Sequence, residues 1–220
     1  MLEARQLTAR YGAVIATREI DLTVAPGQIV ALIGSNGSGK TTTLRTIMGQ
    51  HHDATGEVLI DGTPVGPGNA VRASRAGIAI VPQGRRLFPS LTVDEHLDLI
   101  ASRAQPDAMP LAELREYLPG LFRRLHVRAR ALSGGEQQML AIGRAVLLGP
   151  RFILFDEPTE GLAPAIIENV VALIEQLSSR SIGVLVSDQH DSRITEPATV
   201  KHRIERGTIQ TADHVTQGPR

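Results

Sequence analysis

The segment Gly34-Ser35-Asn36-Gly37-Ser38-Gly39-Lys40-Thr41 admits very few folds. It follows the apolar run Ile29-Val30-Ala31-Leu32-Ile33 without a break. Such a run reads as a strand buried on both faces, the kind found in a parallel sheet. The glycines let successive backbone N–H groups converge, and a helix starting at Lys40 aims its positive end at the same point. The pattern is G-x-x-x-x-G-K-[ST], a cradle for polyphosphate. In it Lys40 reaches the β- and γ-phosphates and the Thr41 hydroxyl reaches Mg2+, with Thr42 beside it in the first turn. The helix is expected from Lys40 to Met48, with Gly49 as its stop.

Three more apolar runs have the same character: Ile78-Ala79-Ile80-Val81, Phe152-Ile153-Leu154-Phe155 and Val184-Leu185-Val186. A mostly parallel sheet with helices on both faces is therefore expected. A small antiparallel sheet is expected over residues 2–25 and 57–66, with Asp61-Gly62 as a hairpin turn. From Thr92 to Leu148 the pattern becomes helical, with Pro106, Pro110, Pro119 and Gly120 as breaks. Pro164 opens a helix whose apolar face is Ile166, Ile167, Val170, Val171, Ile174 and Leu177. Past Gly207 the tail is polar and is expected to lack order. The expected organisation is an α/β core with its antiparallel sub-domain over residues 1–84 and 150–220, and a helical sub-domain over residues 85–149.

Asp156-Glu157 closes an apolar strand at its carboxyl end, where open α/β sheets hold their ligands. Asp156 suits Mg2+, and Glu157 suits orienting or deprotonating an attacking water. A second glycine turn, Ser133-Gly134-Gly135-Glu136, carries a helix cap in Ser133 and leaves the amides of Gly134 and Gly135 free to meet an anion. Two such turns suggest ATP gripped between two protein surfaces. Lys plus Arg number 23 and Asp plus Glu number 23, so the net charge is zero and nucleic acid is not the expected partner. The absence of cysteine excludes disulfide and thiolate chemistry. No apolar run approaches the ~18 residues of a membrane span, and Met1-Leu2-Glu3-Ala4-Arg5-Gln6 lacks the look of a secretory signal. A cytoplasmic protein is expected, with any membrane role through a partner.

Leu132-Ser133-Gly134-Gly135-Glu136-Gln137-Gln138 matches the signature of ATP-binding cassettes. With it, nearly the whole chain resembles the nucleotide-binding subunit of an ABC transporter. The resemblance implies a fold of the α/β class, a P-loop NTPase core with a small antiparallel β sub-domain and an inserted helical signature sub-domain. It implies ATP and Mg2+ as cofactors. It also implies a head-to-tail pair, in which the signature of one subunit closes on the γ-phosphate held by the P-loop of the other. Tyr11 matches the aromatic that stacks on adenine, and Gln83 the glutamine that touches Mg2+ and reports to the membrane subunit. Ungapped spacing from Asp156 puts Gln189 at the switch position, the favoured reading; a one-residue shift puts His190-Asp191 there instead. Ala163 stands where many cassettes carry an aspartate, so communication across the dimer is expected through backbone contacts.

Three stretches, residues 81–93, 137–145 and 157–164, resemble the ATPases of high-affinity branched-chain amino-acid importers. Urea and short-amide importers share that wording. The resemblance implies integral-membrane permease subunits and a second cassette, more often different than identical. It also implies a periplasmic or extracellular solute-binding protein acting indirectly, and a peripheral place on the cytoplasmic face of the membrane. Arg85 and Arg86 read either as a solvated loop or as a contact with the permease. A cassette acting on DNA or the ribosome would usually carry a coiled coil, a tandem cassette or a basic extension, none of which is seen. A degenerate subunit that binds ATP without turnover fits the altered switch region, but intact Lys40 and Glu157 argue against it.

Overall fold

A computed structural model describes residues 1–214 of the chain. Strands β1 (Leu2–Tyr11) and β2 (Val14–Val24) form a long hairpin, followed by β3 (Ile29–Ile33), the phosphate loop and α1 (Lys40–Ile47). Next come β4 (Ala54–Ile60), β5 (Thr63–Gly66), α2 (Ala70–Arg75) and β6 (Ile78–Val81). The helical stretch holds α3 (Val93–Ala101), α4 (Leu111–Tyr117), α5 (Pro119–Phe122), a 3-10 turn at Ala129–Ala131 and α6 (Gly134–Leu147). The order closes with β7 (Phe152–Asp156), α7 (Pro164–Ser179), β8 (Gly183–Asp188), β9 (Val200–Glu205) and β10 (Thr208–His214). Among the described residues no helix is long and apolar enough to cross a membrane.

Two sheets result. The smaller is antiparallel, in the order β2-β1-β4-β5. The larger runs β10-β9-β3-β8-β7-β6, parallel throughout except for β10 at its edge. Side chains of the large sheet alternate between two cores, as the two-residue period of a strand requires. Ile29, Ala31, Ile33, Ile153, Phe155, Val184 and Val186 enter one core with α3, α4, α6 and α7. Val30, Leu32, Phe152, Leu154 and Leu185 enter the other, beneath α1 and the antiparallel sheet. Cover on both faces is why these strands read as unbroken apolar runs.

Local signals account for most boundaries. Asp61 and Gly62 have φ of 50° and 77°, the paired left-handed conformations of a tight hairpin turn, and connect β4 to β5. Gly49, with φ of 71°, follows the C-cap Met48 of α1. Pro164 occupies the first turn of α7.

Two expectations are corrected. Residues 208–214 are not a loose tail: they form β10, which returns antiparallel along β9 after Arg206-Gly207, with φ of 46° and 81°. Val200, His202 and Ile204 of β9 are buried beside β3, whereas Arg203 and Glu205 are exposed. The alternation is short and interrupted by a histidine, so the hydrophobic signal in the sequence is weak. Residues 215–220, the rest of the expected tail, lie outside the described residues. Gly120 does not break the helical stretch but lies within α5, behind the favourable N-terminal Pro119. Helix α2, capped by the Asn69 side chain, was not anticipated.

Candidate nucleotide site

Strand β3 delivers the phosphate loop to the carboxyl edge of the sheet, where Gly34 N–H donates to the Asp188 carbonyl at 3.1 Å. Gly39 has φ of 112°, and a Cβ there would lie 2.9 Å from Thr17 Cγ2 and 3.0 Å from the Ala16 carbonyl. Only glycine lets the loop pass so close to β2. The loop is closed by Ser38 N–H to the Ser35 carbonyl at 3.1 Å and by the Thr43 hydroxyl to the Gly39 carbonyl at 2.9 Å.

Lys40 is buried and folded back on its own loop. Its Nζ donates to the carbonyls of Gly34 at 2.6 Å and Ser35 at 3.1 Å, and pairs with Glu157 Oε1 at 3.1 Å. Gln189 Nε2 donates to the other Glu157 oxygen at 3.1 Å. Glu157 has φ of 48°, a left-handed conformation that costs a non-glycine residue about 1–3 kcal/mol and tends to persist at functional sites. Its N–H is held by Ser187 Oγ at 3.2 Å.

Asp156 Oδ1 accepts from the Thr41 hydroxyl at 3.0 Å and the Ser187 hydroxyl at 3.1 Å. Asp156 and Ser187 are direct partners in the β7–β8 register. Burial pushes the Asp156 carboxyl above its ordinary pKa, while the hydroxyl bonds from Thr41 and Ser187 oppose the shift.

Asn36, Gly37, Gly39, Lys40, Thr41 and Thr42 line a cavity of about 660 Å³ together with Gln83, Glu157 and Gln189. Glu160 and Arg206 complete its polar wall. Gln83 Nε2 donates to Glu160 Oε2 at 3.1 Å, so this glutamine is engaged with Glu160. Gly34 and Ser35 line an adjoining cavity of about 390 Å³, shared with Gln189 and His190. His190 is exposed, and Gln189 is the one in contact with Glu157. Ser38 is buried within the loop.

Other expected residues lie elsewhere. Tyr11 is 52% exposed, with its ring set edge-on to His51 at 4.6 Å between centroids, and it does not line the 660 Å³ cavity. Ser133 caps α6 by a reciprocal pair: its hydroxyl accepts from Glu136 N–H at 3.3 Å, and Glu136 Oε2 accepts from Ser133 N–H at 2.8 Å. Arg124 Nε also donates to Glu136 at 2.8 Å. Gly134 adjoins the Arg85 guanidinium and Gly135 adjoins Leu162. None of Ser133, Gly134, Gly135 and Glu136 lines the phosphate cavity of this chain.

Sequence reasoning missed Ser187, Glu160 and Arg206. Ser187 carried a usable signal, a polar residue directly after the apolar run 184–186, in the same relation to its strand as Asp156. Glu160 and Arg206 carry none, because only folding brings them to the cavity.

A model of the ABC transporter family matches residues 17–160. The chain belongs to the ABC transporter family. It is an ATPase cassette of that family. The high-affinity branched-chain amino acid transport ATP-binding protein BraG of Pseudomonas aeruginosa is 37% identical, over 97% of this chain and 92% of BraG. The lipopolysaccharide export system ATP-binding protein LptB of Haemophilus influenzae is 34% identical, over 89% of this chain and 82% of LptB. A solved dimeric bacterial ABC transporter cassette superposes with a TM-score of 0.85 at 26% identity, covering 99% of this chain and 100% of that one. A dimeric post-hydrolysis state of the same solved cassette, bound to ADP and Pi, superposes with a TM-score of 0.83 at 25% identity, over 99% and 100% of the two chains.

The raised pKa of Asp156 has a consequence for the stability of the cassette. A carboxyl that binds its proton more tightly when folded stabilises the fold as pH falls, and its ionised form costs stability at neutral pH. Asp156→Asn keeps an oxygen for Thr41 and Ser187 and removes the buried charge. Its melting temperature at about pH 7 is expected to equal or exceed the parent's, with the gap closing toward about pH 4. A variant that melts lower at neutral pH would show that the charge itself holds the site together.

Proposed function

We propose that this cassette binds Mg-ATP at residues 34–42, hydrolyses it, and powers a branched-chain amino-acid importer from the cytoplasmic face of the membrane. The observation that carries the reading is the chain Gln189–Glu157–Lys40 at the mouth of the phosphate loop, with Glu157 and Lys40 buried. Each member is placed for one task. Lys40, held by two loop carbonyls and Glu157, is placed to meet a triphosphate laid in the loop. Its transfer to phosphate oxygens frees Glu157 Oε1 to take a proton from the attacking water as that water displaces ADP from the γ-phosphorus in line. Gln189, rather than His190, steadies the other Glu157 oxygen and is the proposed switch residue.

Thr41 and Asp156 present a hydroxyl and one carboxylate side by side, an all-oxygen set that suits Mg2+, which keeps waters and substrate phosphates as its other ligands. When bound there, Mg2+ neutralises charge on the β- and γ-phosphate oxygens. Gln83, on the same cavity, is the proposed sensor of that site. The exposed Tyr11 ring is free to stack on adenine. The signature residues Ser133–Glu136 stand apart from their own phosphate loop, which supports their use in trans, on the nucleotide of a second cassette. That second cassette is proposed to be a different chain, with permease subunits and, indirectly, a solute-binding protein completing the importer.

The amino-acid cargo rests on the likeness to BraG over almost the full chain. Other relatives carry other cargo in their names, among them LptB and the ribose import protein RbsA 1 of Rubrobacter xylanophilus, 32% identical over 89% of this chain and 40% of RbsA 1.

Three measurements test the proposal. Glu157→Gln should keep ATP affinity while single-turnover hydrolysis falls by about 10²–10⁴-fold; hydrolysis at the parent rate would remove Glu157 from its role. Gln189→Ala should slow turnover, whereas His190→Ala should stay within about twofold, and the reverse order would transfer the switch role to His190. Tagged cassette should co-purify with an integral-membrane permease, and in proteoliposomes with a matching binding protein leucine should stimulate its hydrolysis. Stimulation by ribose or lipopolysaccharide instead, or retention on DNA, would refute the cargo.

A further inference from the structure

The segment between Gln83 and α3 is strained and tethered. Arg85 and Arg86 have φ of 55° and 46°, both left-handed without being glycine. Contacts from the helical stretch hold the segment, among them Arg130 N–H to the Pro89 carbonyl at 3.2 Å and Ala129 N–H to the Leu91 carbonyl at 2.9 Å. Three more involve side chains. Arg85 Nη1 donates to Gln137 Oε1 at 3.1 Å, Arg144 Nη1 donates to the Arg86 carbonyl at 3.2 Å, and Phe88 N–H donates to His96 Nε2 at 3.1 Å. His96 is fully buried in α3, and its ring stacks on Phe88 at 5.9 Å, with the Arg144 guanidinium over the same Phe88 ring at 5.7 Å.

The partners dictate the tautomer. A carbonyl can only accept, so His96 Nδ1, 2.8 Å from the Thr92 carbonyl, carries the hydrogen. Phe88 N–H can only donate, so Nε2 must keep its lone pair. A second proton would put N–H against N–H at Phe88 while leaving the Thr92 bond intact. Protonation therefore breaks the Phe88 contact selectively and leaves the other tethers in place.

We propose that His96 is a positioning residue: its neutral imidazole pins Phe88 and thereby helps to keep residues 84–90, and with them Gln83, in the arrangement used for turnover, and protonation loosens that hold. Burial is the main cause that keeps His96 below the ordinary histidine pKa; the Thr92 carbonyl favours the proton, Arg144 on α6 disfavours it, and Glu95 on its own helix favours it. The sign follows. A histidine depressed on folding contributes stability above its unfolded pKa, and that contribution is lost as pH falls through the folded value. The consequence for turnover rests on the role proposed for Gln83; the tether itself does not.

Amide hydrogen exchange on the full chain, read by NMR at Phe88, tests this, with Val93 N–H, bonded to the Val127 carbonyl, as a local control. Between about pH 7.5 and pH 5 the parent's Phe88 protection factor should fall by about tenfold or more, since one linked proton gives up to tenfold per pH unit, while Val93 changes by less than about threefold. His96→Gln, which retains an acceptor that does not titrate, should keep Phe88 protection independent of pH. His96→Phe, which keeps the stacked ring without an acceptor, should be unprotected at both pH values. Parent protection that ignores pH, or a His96→Gln variant that follows the parent, would overturn the tether. The acid limb of the ATP hydrolysis profile should shift to lower pH in His96→Gln; an unmoved limb beside the expected exchange result would overturn the link to Gln83 alone.

Discussion

Parallel pairing of β3, β8 and β7 is the constraint on which the rest of this cassette depends. It aligns Ile33 with Asp188 and Asp156 with Ser187, so three strand ends from distant parts of the chain meet at one edge. Every polar group proposed for hydrolysis issues from that edge or from the loop it anchors. A shift of one residue in β8 would exchange its core-facing and opposite side chains and carry Ser187 away from Asp156. The two apolar cores fix that register, because alternate residues of the same strands must enter opposite sides.

The site spends part of the stability that these cores supply. Lys40 and Glu157 are both buried, and a buried ion pair recovers its desolvation cost only when the remaining donors and acceptors are satisfied. Here they are, by the carbonyls of Gly34 and Ser35 on one side and by Gln189 on the other. Asp156 is buried with the hydroxyls of Thr41 and Ser187 as its hydrogen-bond donors among the described residues, and Glu157 is held in a left-handed conformation. A rigid sheet edge tolerates such costs because its hydrogen bonds leave these residues few alternatives.

The helical stretch solves a different problem. Ser133 and Glu136 close a capping box, which orders the start of α6 without any ligand. The same turn stands away from the phosphate cavity of its own chain. That ordered turn, apart from its own phosphate loop, is what the proposed use on a second cassette requires.

Much could be learned from short stretches of the chain. The phosphate loop, the Asp61-Gly62 turn, the buried runs and the start of α7 each follow from residues within a few positions of one another, because glycine, proline and apolar spacing act locally. β9 was obscured because its apolar residues alternate with polar and charged ones and it depends on β3 for a partner, and β10, largely polar, pairs with β9 in turn. Spacing favoured Gln189 over His190 without deciding between them, since one residue of slack in the loop after β8 satisfies both. Packing separates them: Gln189 turns toward Glu157, and His190 turns to solvent. Glu160 and Arg206 likewise became site residues only when strands and loops distant in the sequence closed round one cavity. Nearby residues suffice to specify conformation and chemical type, but which side chains meet is a property of long-range pairing.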